Sequence, residues 1–224
     1  MKRMIIVAAV CALACSSALA DITVSLVELS TDPAGSVTVS SSGYDGGALA
    51  GVYKLHIKDP SAGYTGPLGY VDSFCIDIWD LTQPGYTTYT VVGLDQAPDL
   101  GAGPMGNVKA ADLAELLNKN WVAGMTPTQK TALQLAVWEV VDELSSNSYD
   151  ISSGQFSATG DGSVITEATN MLATITTGAS SWANYLALTT TLDQDYVVKV
   201  PLPGAVLLGA IGLIAAGRKL RKLA

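Results

Sequence analysis

Cysteine is nearly absent from this chain. There are three, and Cys11 and Cys15 fall within the first fifteen residues. Beyond them Cys75 stands alone in 74-FCIDIWD-80, so no internal disulfide closes and no zinc-type cysteine spacing exists. Histidine is scarcer: His56 is the only one. That leaves a single possible base for any Cys–His nucleophile. Basic residues are few, twelve against twenty acids. Long apolar runs occur only at the two ends. No phosphate-binding glycine loop, cofactor fingerprint or internal repeat is present.

The ends read as targeting segments. Lys2 and Arg3 precede the uncharged run Met4 to Ala14, and Ala18-Leu19-Ala20 supplies a small-residue cleavage site before Asp21. Residues 1–20 are therefore expected to be a secretory signal peptide, and Cys11 and Cys15 leave with it. A lipoprotein reading of Cys15 is weaker, because Ala12 stands three positions before it where Leu is favoured. At the other end, Val200-Pro201-Leu202-Pro203 leads into the apolar run Gly204 to Gly217, followed by Arg218, Lys219, Arg221 and Lys222. The run is short against the roughly 20 residues of a full span. The basic end marks the cytoplasmic side, which places the rest of the chain outside.

This tail, residues 201–224, resembles a PEP-CTERM-type sorting signal in its VPLP variant. The resemblance implies an exosortase-like membrane protease as partner, transient membrane attachment through the C-terminal helix, and delivery to the cell surface or extracellular matrix. A plain single-pass anchor is the alternative. The two ends carry six of the twelve basic residues and none of the twenty acids, so the segment between them has net charge −14. Nucleic-acid partners, which need a basic footprint, are excluded on that ground. A hydrated extracytoplasmic domain fits the charge.

Residues 21–200 are expected to form one α+β domain: an antiparallel β-sandwich or barrel-like sheet with a small helical part. Strand alternation runs through 22-ITVSLVEL-29, 36-SVTVSS-41, 50-AGVYKLHIKD-59, 70-YVDSFCIDIWD-80 and 88-TYTVVGL-94, separated by turn clusters such as 43-GYDGG-47. After Pro104 the period becomes helical. 107-NVKAADLAELLNKNW-121 opens on a candidate Asn cap. 126-TPTQKTALQLAVWEVVDEL-144 opens on Thr126, Pro127 and Gln129, a T-x-x-Q capping box with proline at its first turn. 145–163 reads as a loop, 164-VITEATNMLATIT-176 as a third helix with Ser163 as candidate cap, and 194-QDYVVKV-200 as a last strand. 182-WANYLAL-188 is ambiguous.

Gln134 raises the chemical question. On a helix from Pro127 to Leu144, Val137, Trp138, Val141 and Leu144 fall within roughly 80° of it, while Thr128, Glu139, Asp142 and Glu143 lie on a face centred roughly 130° away. Gln134 thus sits on the apolar stripe, and a buried amide without partners costs about 1–3 kcal/mol. One occupant is a backbone group. The other is Cys75. A thiolate held against the carboxamide carbon adds to it and expels ammonia, leaving an internal thioester that an amine or hydroxyl then opens.

The pair 74-FCID-77 and 133-LQLAVW-138 resembles the signature of thioester domains, the reactive tips of bacterial surface adhesins. The resemblance implies that Cys75 and Gln134 are the thioester cross-link, with Phe74 and Trp138 as supporting aromatics, and that the protein attaches covalently to a surface or matrix polymer carrying amines or hydroxyls. It acts once per molecule and so is not an enzyme by turnover; no metal or cofactor is implied. The chain departs from wall-anchored adhesins in having no stalk domains or wall-sorting signal, and Leu133 stands where Thr often precedes the glutamine. The alternative is a non-reactive structural or carbohydrate-binding matrix protein of the same fold. A Cys75/His56 hydrolase is weaker, since His56 reads as an exposed strand residue. Asp72, Asp77 and Asp80 lack the spacing of a calcium loop. Tyr64, Tyr70, Tyr86 and Tyr89 read as ordinary sheet residues.

Overall fold

A computed structural model describes residues 20–30, 35–41, 43–61, 64–80, 85–99, 103–143, 148–176 and 180–200. The signal segment and the sorting tail lie outside them, apart from Ala20, which opens the first strand. Among the described residues no helix is long and apolar enough to cross a membrane.

Six strands close into an antiparallel barrel: β1 (Ala20–Ser30), β4 (Val52–Lys58), β5 (Gly69–Cys75), β11 (Tyr196–Lys199), β10 (Tyr185–Thr189) and β6 (Thr87–Gly93), in that order round the sheet. The expectation of a sandwich or barrel resolves as a barrel. Closure removes the edges that an open sheet would present. The ambiguous 182–188 stretch contributes β10, the strand that joins β11 to β6.

Side-chain alternation explains the barrel wall. On β4, Tyr53, Leu55 and Ile57 are buried, and Lys54, His56 and Lys58 lie between them on the outer face. Tyr53, Tyr89 and Tyr196 meet inside, with ring centroids 5.4 Å and 6.0 Å apart around Tyr196. Tyr196 lies directly opposite Cys75 in the β11–β5 register, so Cys75 shares the inner face. Phe74 alternates to the outside, where Trp121 meets it edge-on at 4.9 Å.

Two small sheets sit outside the barrel. β2 (Ser36–Ser40) pairs with β3 (Asp45–Leu49) and with β9 (Ser157–Thr159). β7 (Pro98–Asp99) pairs with β8 (Gly103–Pro104). β3 and β9 fall in stretches whose Gly, Asp and Ser content reads as turn. Their ladders are supplied by β2, not by their own propensity.

Three helices follow the sheet-rich half. α1 is Gly106–Asn120, α2 Pro127–Asp142 and α3 Gly162–Leu172. α2 starts as its sequence dictates: Thr126 Oγ1 accepts from the Gln129 N–H, and the Gln129 side chain accepts from the Thr126 N–H. The other two starts are corrected. Asn107 lies inside α1, and Met105 precedes the helix without a side-chain cap. Asp161, not Ser163, caps α3, accepting from the Ser163 N–H at 2.8 Å.

From Thr131 to Asp142 α2 is buried on all sides. Glu139, Asp142 and Glu143, expected on a wet face, are at most 1% exposed. One side of α2 meets β4 and β5. The other is wrapped by the segment after Tyr149. There Glu139 Oε1 accepts from the Asp150 N–H at 2.6 Å, and Glu143 Oε2 from the Gln155 N–H at 2.7 Å. The carboxylates occupy backbone donors of a loop that would otherwise be orphaned.

Candidate functional site

Cys75 is the last residue of β5. Strand β4 runs out beside it: Tyr53 pairs with Ser73, and no β4 residue pairs with Cys75. In an antiparallel ladder the N–H and C=O of alternate residues point to the same neighbour. On the β11 side the rung beyond Cys75 is made by Ile76, whose N–H donates to the Asp195 carbonyl at 2.9 Å. The N–H and C=O of Cys75 therefore face the β4 side, where the partner strand has stopped.

Gln134 fills that rung. Its Oε1 accepts from the Cys75 N–H at 2.9 Å and its Nε2 donates to the Cys75 carbonyl at 2.8 Å. Both residues are fully buried. The carboxamide imitates a strand residue and clamps one peptide unit at two points. Of the two occupants expected for Gln134, the structure shows the backbone group. The backbone it satisfies belongs to the cysteine itself, and this sets the amide beside the residue that carries the thiol.

The strand ends at Cys75, so the expected face of Cys75, Asp77 and Trp79 does not form. Residues 76–80 turn away. The turn folds over the sulfur: Sγ donates to the Asp77 carbonyl at 2.8 Å, and the Asp77 N–H lies 3.3 Å from Sγ. Asp77 Oδ1 accepts from the Trp79 N–H at 2.9 Å, which fixes the turn.

Trp138 stands one helical turn beyond Gln134 and is buried. The indole N–H lies beside the sulfur and favours the thiolate, although the contact falls short of full hydrogen-bond geometry. Phe74 supports the site from outside the barrel wall through Trp121.

Electrostatics hold the thiol neutral. Burial first, then the Asp77 and Asp195 carboxylates, raise the Cys75 pKa far above the ordinary thiol value. Burial also raises Asp77, and it pushes Asp195 up to about 7, with Asp77, Asp80 and Asp193 adding like charge. A cavity of about 180 Å³ opens beside the turn, lined by Ile76, Asp77, Trp79, Pro98, Asp99, Val141 and Asp195. One of its carboxylates is already matched. Asp99 accepts from Lys109 Nζ at 2.9 and 2.8 Å, and Nζ also donates to the Val141 carbonyl. Asp195 was not singled out by the sequence. Only the β11–β5 pairing brings position 195 to the 75–77 turn.

His56 is elsewhere. It pairs with Tyr70 in register, five residues up β5 from Cys75, or about 17 Å along the strand. It stacks on Tyr70 with centroids 4.7 Å apart, and its Nδ1 lies 2.7 Å from the Tyr86 hydroxyl. Of the four tyrosines considered for a sugar surface, Tyr70 and Tyr86 are exposed, while Tyr89 lies in the barrel interior and Tyr64 is half-buried. Among the described residues no group of three metal-ligating side chains converges. Neither family models, curated proteins nor solved structures match this chain.

Proposed function

We propose that Cys75 and Gln134 close an internal thioester, through which this protein attaches once to an amine or hydroxyl on a surface or matrix polymer. The observation that carries the reading is the two-point clamp of the Gln134 carboxamide on the Cys75 backbone. In forming the bond, Sγ adds to the Gln134 Cδ, the carbonyl electrons move to Oε1, and the C–N bond then breaks to release ammonia. The Cys75 N–H already donates to Oε1, where negative charge develops, which is the requirement for an oxyanion donor. Opening reverses the roles: an amine or hydroxyl adds to Cδ, the thiol leaves, and Gln134 becomes an amide or ester.

In this reading the chain is exported with residues 1–20 as its signal. The tail at 201–224 holds it at the membrane until an exosortase-like protease acts, and the domain works outside the cell. A second reading has two observations in its favour. The same clamp gives both the oxygen and the nitrogen of the amide a partner, and burial keeps the thiol protonated, which suits a non-reactive structural or carbohydrate-binding matrix protein.

Intact mass separates the two. The folded domain fresh from cells is expected to fall short of its sequence mass by one ammonia. Methylamine should add at Gln134, leaving its N-methyl amide one methylene heavier than the encoded residue, and expose a titratable thiol. Cys75→Ala and Gln134→Ala should each abolish the deficit. Full mass with a free thiol before treatment sinks the thioester reading.

A further inference from the structure

Thioester formation moves one proton from sulfur to nitrogen, and neither Cys75 nor Gln134 has a base of its own. The Sγ hydrogen points at a backbone carbonyl, that of Asp77, which cannot accept the proton outright. Three carboxylates wall the cavity beside the turn. Asp99 is held by both oxygens on Lys109. Asp77 is tied into the turn by the Trp79 N–H and by a hydrogen bond with Asp80. Asp195 remains. Its backbone carbonyl is bound by Ile76, the residue after Cys75. It is 3% exposed, and one oxygen is steadied by the Thr190 N–H at 2.8 Å.

We propose that the Asp195 carboxylate carries the proton between the Cys75 thiol and the Gln134 nitrogen, an assignment that rests on the thioester reading above. In the forward direction Asp195 takes the S–H proton as Sγ bonds to Cδ. It then returns that proton to Nε2 as the C–N bond breaks, so thiol plus carboxamide becomes thioester plus ammonia with no other reactant. In opening by an amine, Asp195 takes the proton of the attacking nitrogen and delivers it to the leaving sulfur. A cavity of this size has room for water to relay the proton across the turn. A carrier that must both accept and release a proton works best with its pKa near the working pH, and Asp195 sits at about 7. The charged and titratable groups around it are Asp77, Asp80 and Asp193, the Tyr89 phenol, the Cys75 thiol and the Asp99–Lys109 pair.

The test follows aminolysis by methylamine, read by intact mass, across about pH 5 to pH 9. For the wild-type domain the rate, corrected for free amine, is expected to rise through an inflection near pH 7. Asp195→Asn should slow it by about a hundredfold and erase that inflection, with circular dichroism unchanged, while Asp77→Asn, which removes one like charge beside Asp195, leaves an inflection displaced to lower pH. A wild-type profile without an inflection near pH 7 overturns the assignment even if Asp195→Asn fails to fold. So does an Asp195→Asn domain that reacts at the wild-type rate. A wild type at full mass with a free thiol overturns the thioester reading itself, and the Asp195 assignment with it.

Discussion

A thioester between Cys75 and Gln134 is a covalent cross-link, and its effect on stability follows from chain entropy. The two residues are 59 positions apart. Closing a loop of that length restricts the unfolded chain by about 4 kcal/mol on the relation used for disulfides. Cys75→Ala is the suitable perturbation because the clamp uses only the backbone of residue 75: the variant, whose Gln134 stays a carboxamide, makes both hydrogen bonds, whereas the thioester has lost Nε2 and keeps only the one to Oε1. Without a thioester, the substitution removes one small buried group and costs about 1 kcal/mol. With one, it costs about 4 kcal/mol, the sum of the two effects less about 1 kcal/mol for the hydrogen bond that the intact Nε2 makes.

Methylamine supplies a second arm without mutation. It opens the bond without changing the encoded sequence and leaves Gln134 as its N-methyl amide, so the largest effect expected is loss of the cross-link share, about 4 kcal/mol. Gln134→Ala loses the same cross-link and also orphans the Cys75 N–H, which the thioester carbonyl still accepts from, a further loss of about 1–3 kcal/mol for one buried group. The double variant should then be no less stable than Gln134→Ala by more than about 1 kcal/mol, a coupling that independent sites do not show. The assay is urea unfolding of freshly purified domain, with mass checked on the same sample. If untreated, methylamine-treated and Cys75→Ala domains all unfold within about 1 kcal/mol of one another, no cross-link restrains the chain.

Three further outcomes are expected. Burial raises Glu139 from 4.5 to about 8 and Asp142 from 3.8 to about 7; each stays protonated in the folded state at pH values where the unfolded chain has lost the proton. Their contribution is therefore full below about pH 4 and is lost as pH rises to about 8, by roughly 1 kcal/mol per pH unit for each group within its window; Glu139→Gln should flatten the slope in urea titrations, and an unchanged slope would show that this carboxyl is not the cause. Gly154 has φ +122, and a Cβ there would stand 2.1 Å from Glu143 Oε2, so Gly154→Ala should cost about 2–3 kcal/mol by thermal unfolding; a loss under about 0.5 kcal/mol would refute the crowding argument. His56→Ala removes the contacts with Tyr70 and Tyr86 on the outer barrel face and should leave the ammonia deficit intact by mass spectrometry; its disappearance would return His56 to the chemistry.

What the sequence made legible, and what it did not, divides by the range of the interaction. The Thr126–Gln129 capping box and the β4 alternation are local patterns, and both appear as read. The site needed more than a helical wheel. α2 turned out to be covered on its acidic face as well, so apolar phase alone did not distinguish Gln134 from Glu139. What distinguishes them is the neighbour each meets. Glu139 reaches a loop N–H eleven residues away in sequence, whereas Gln134 reaches a strand residue fifty-nine away. That second meeting depends on β4 ending at the rung where β5 continues, a register fact that no window of sequence contains. The same register brings Asp195 to the 75–77 turn. An apolar side chain at 134 would leave two buried backbone groups of Cys75 without partners, so the fold alone gives a reason for an amide there. Stability explains the glutamine; it does not explain why the residue it clamps carries a thiol. That second coincidence is the one the mass measurement tests.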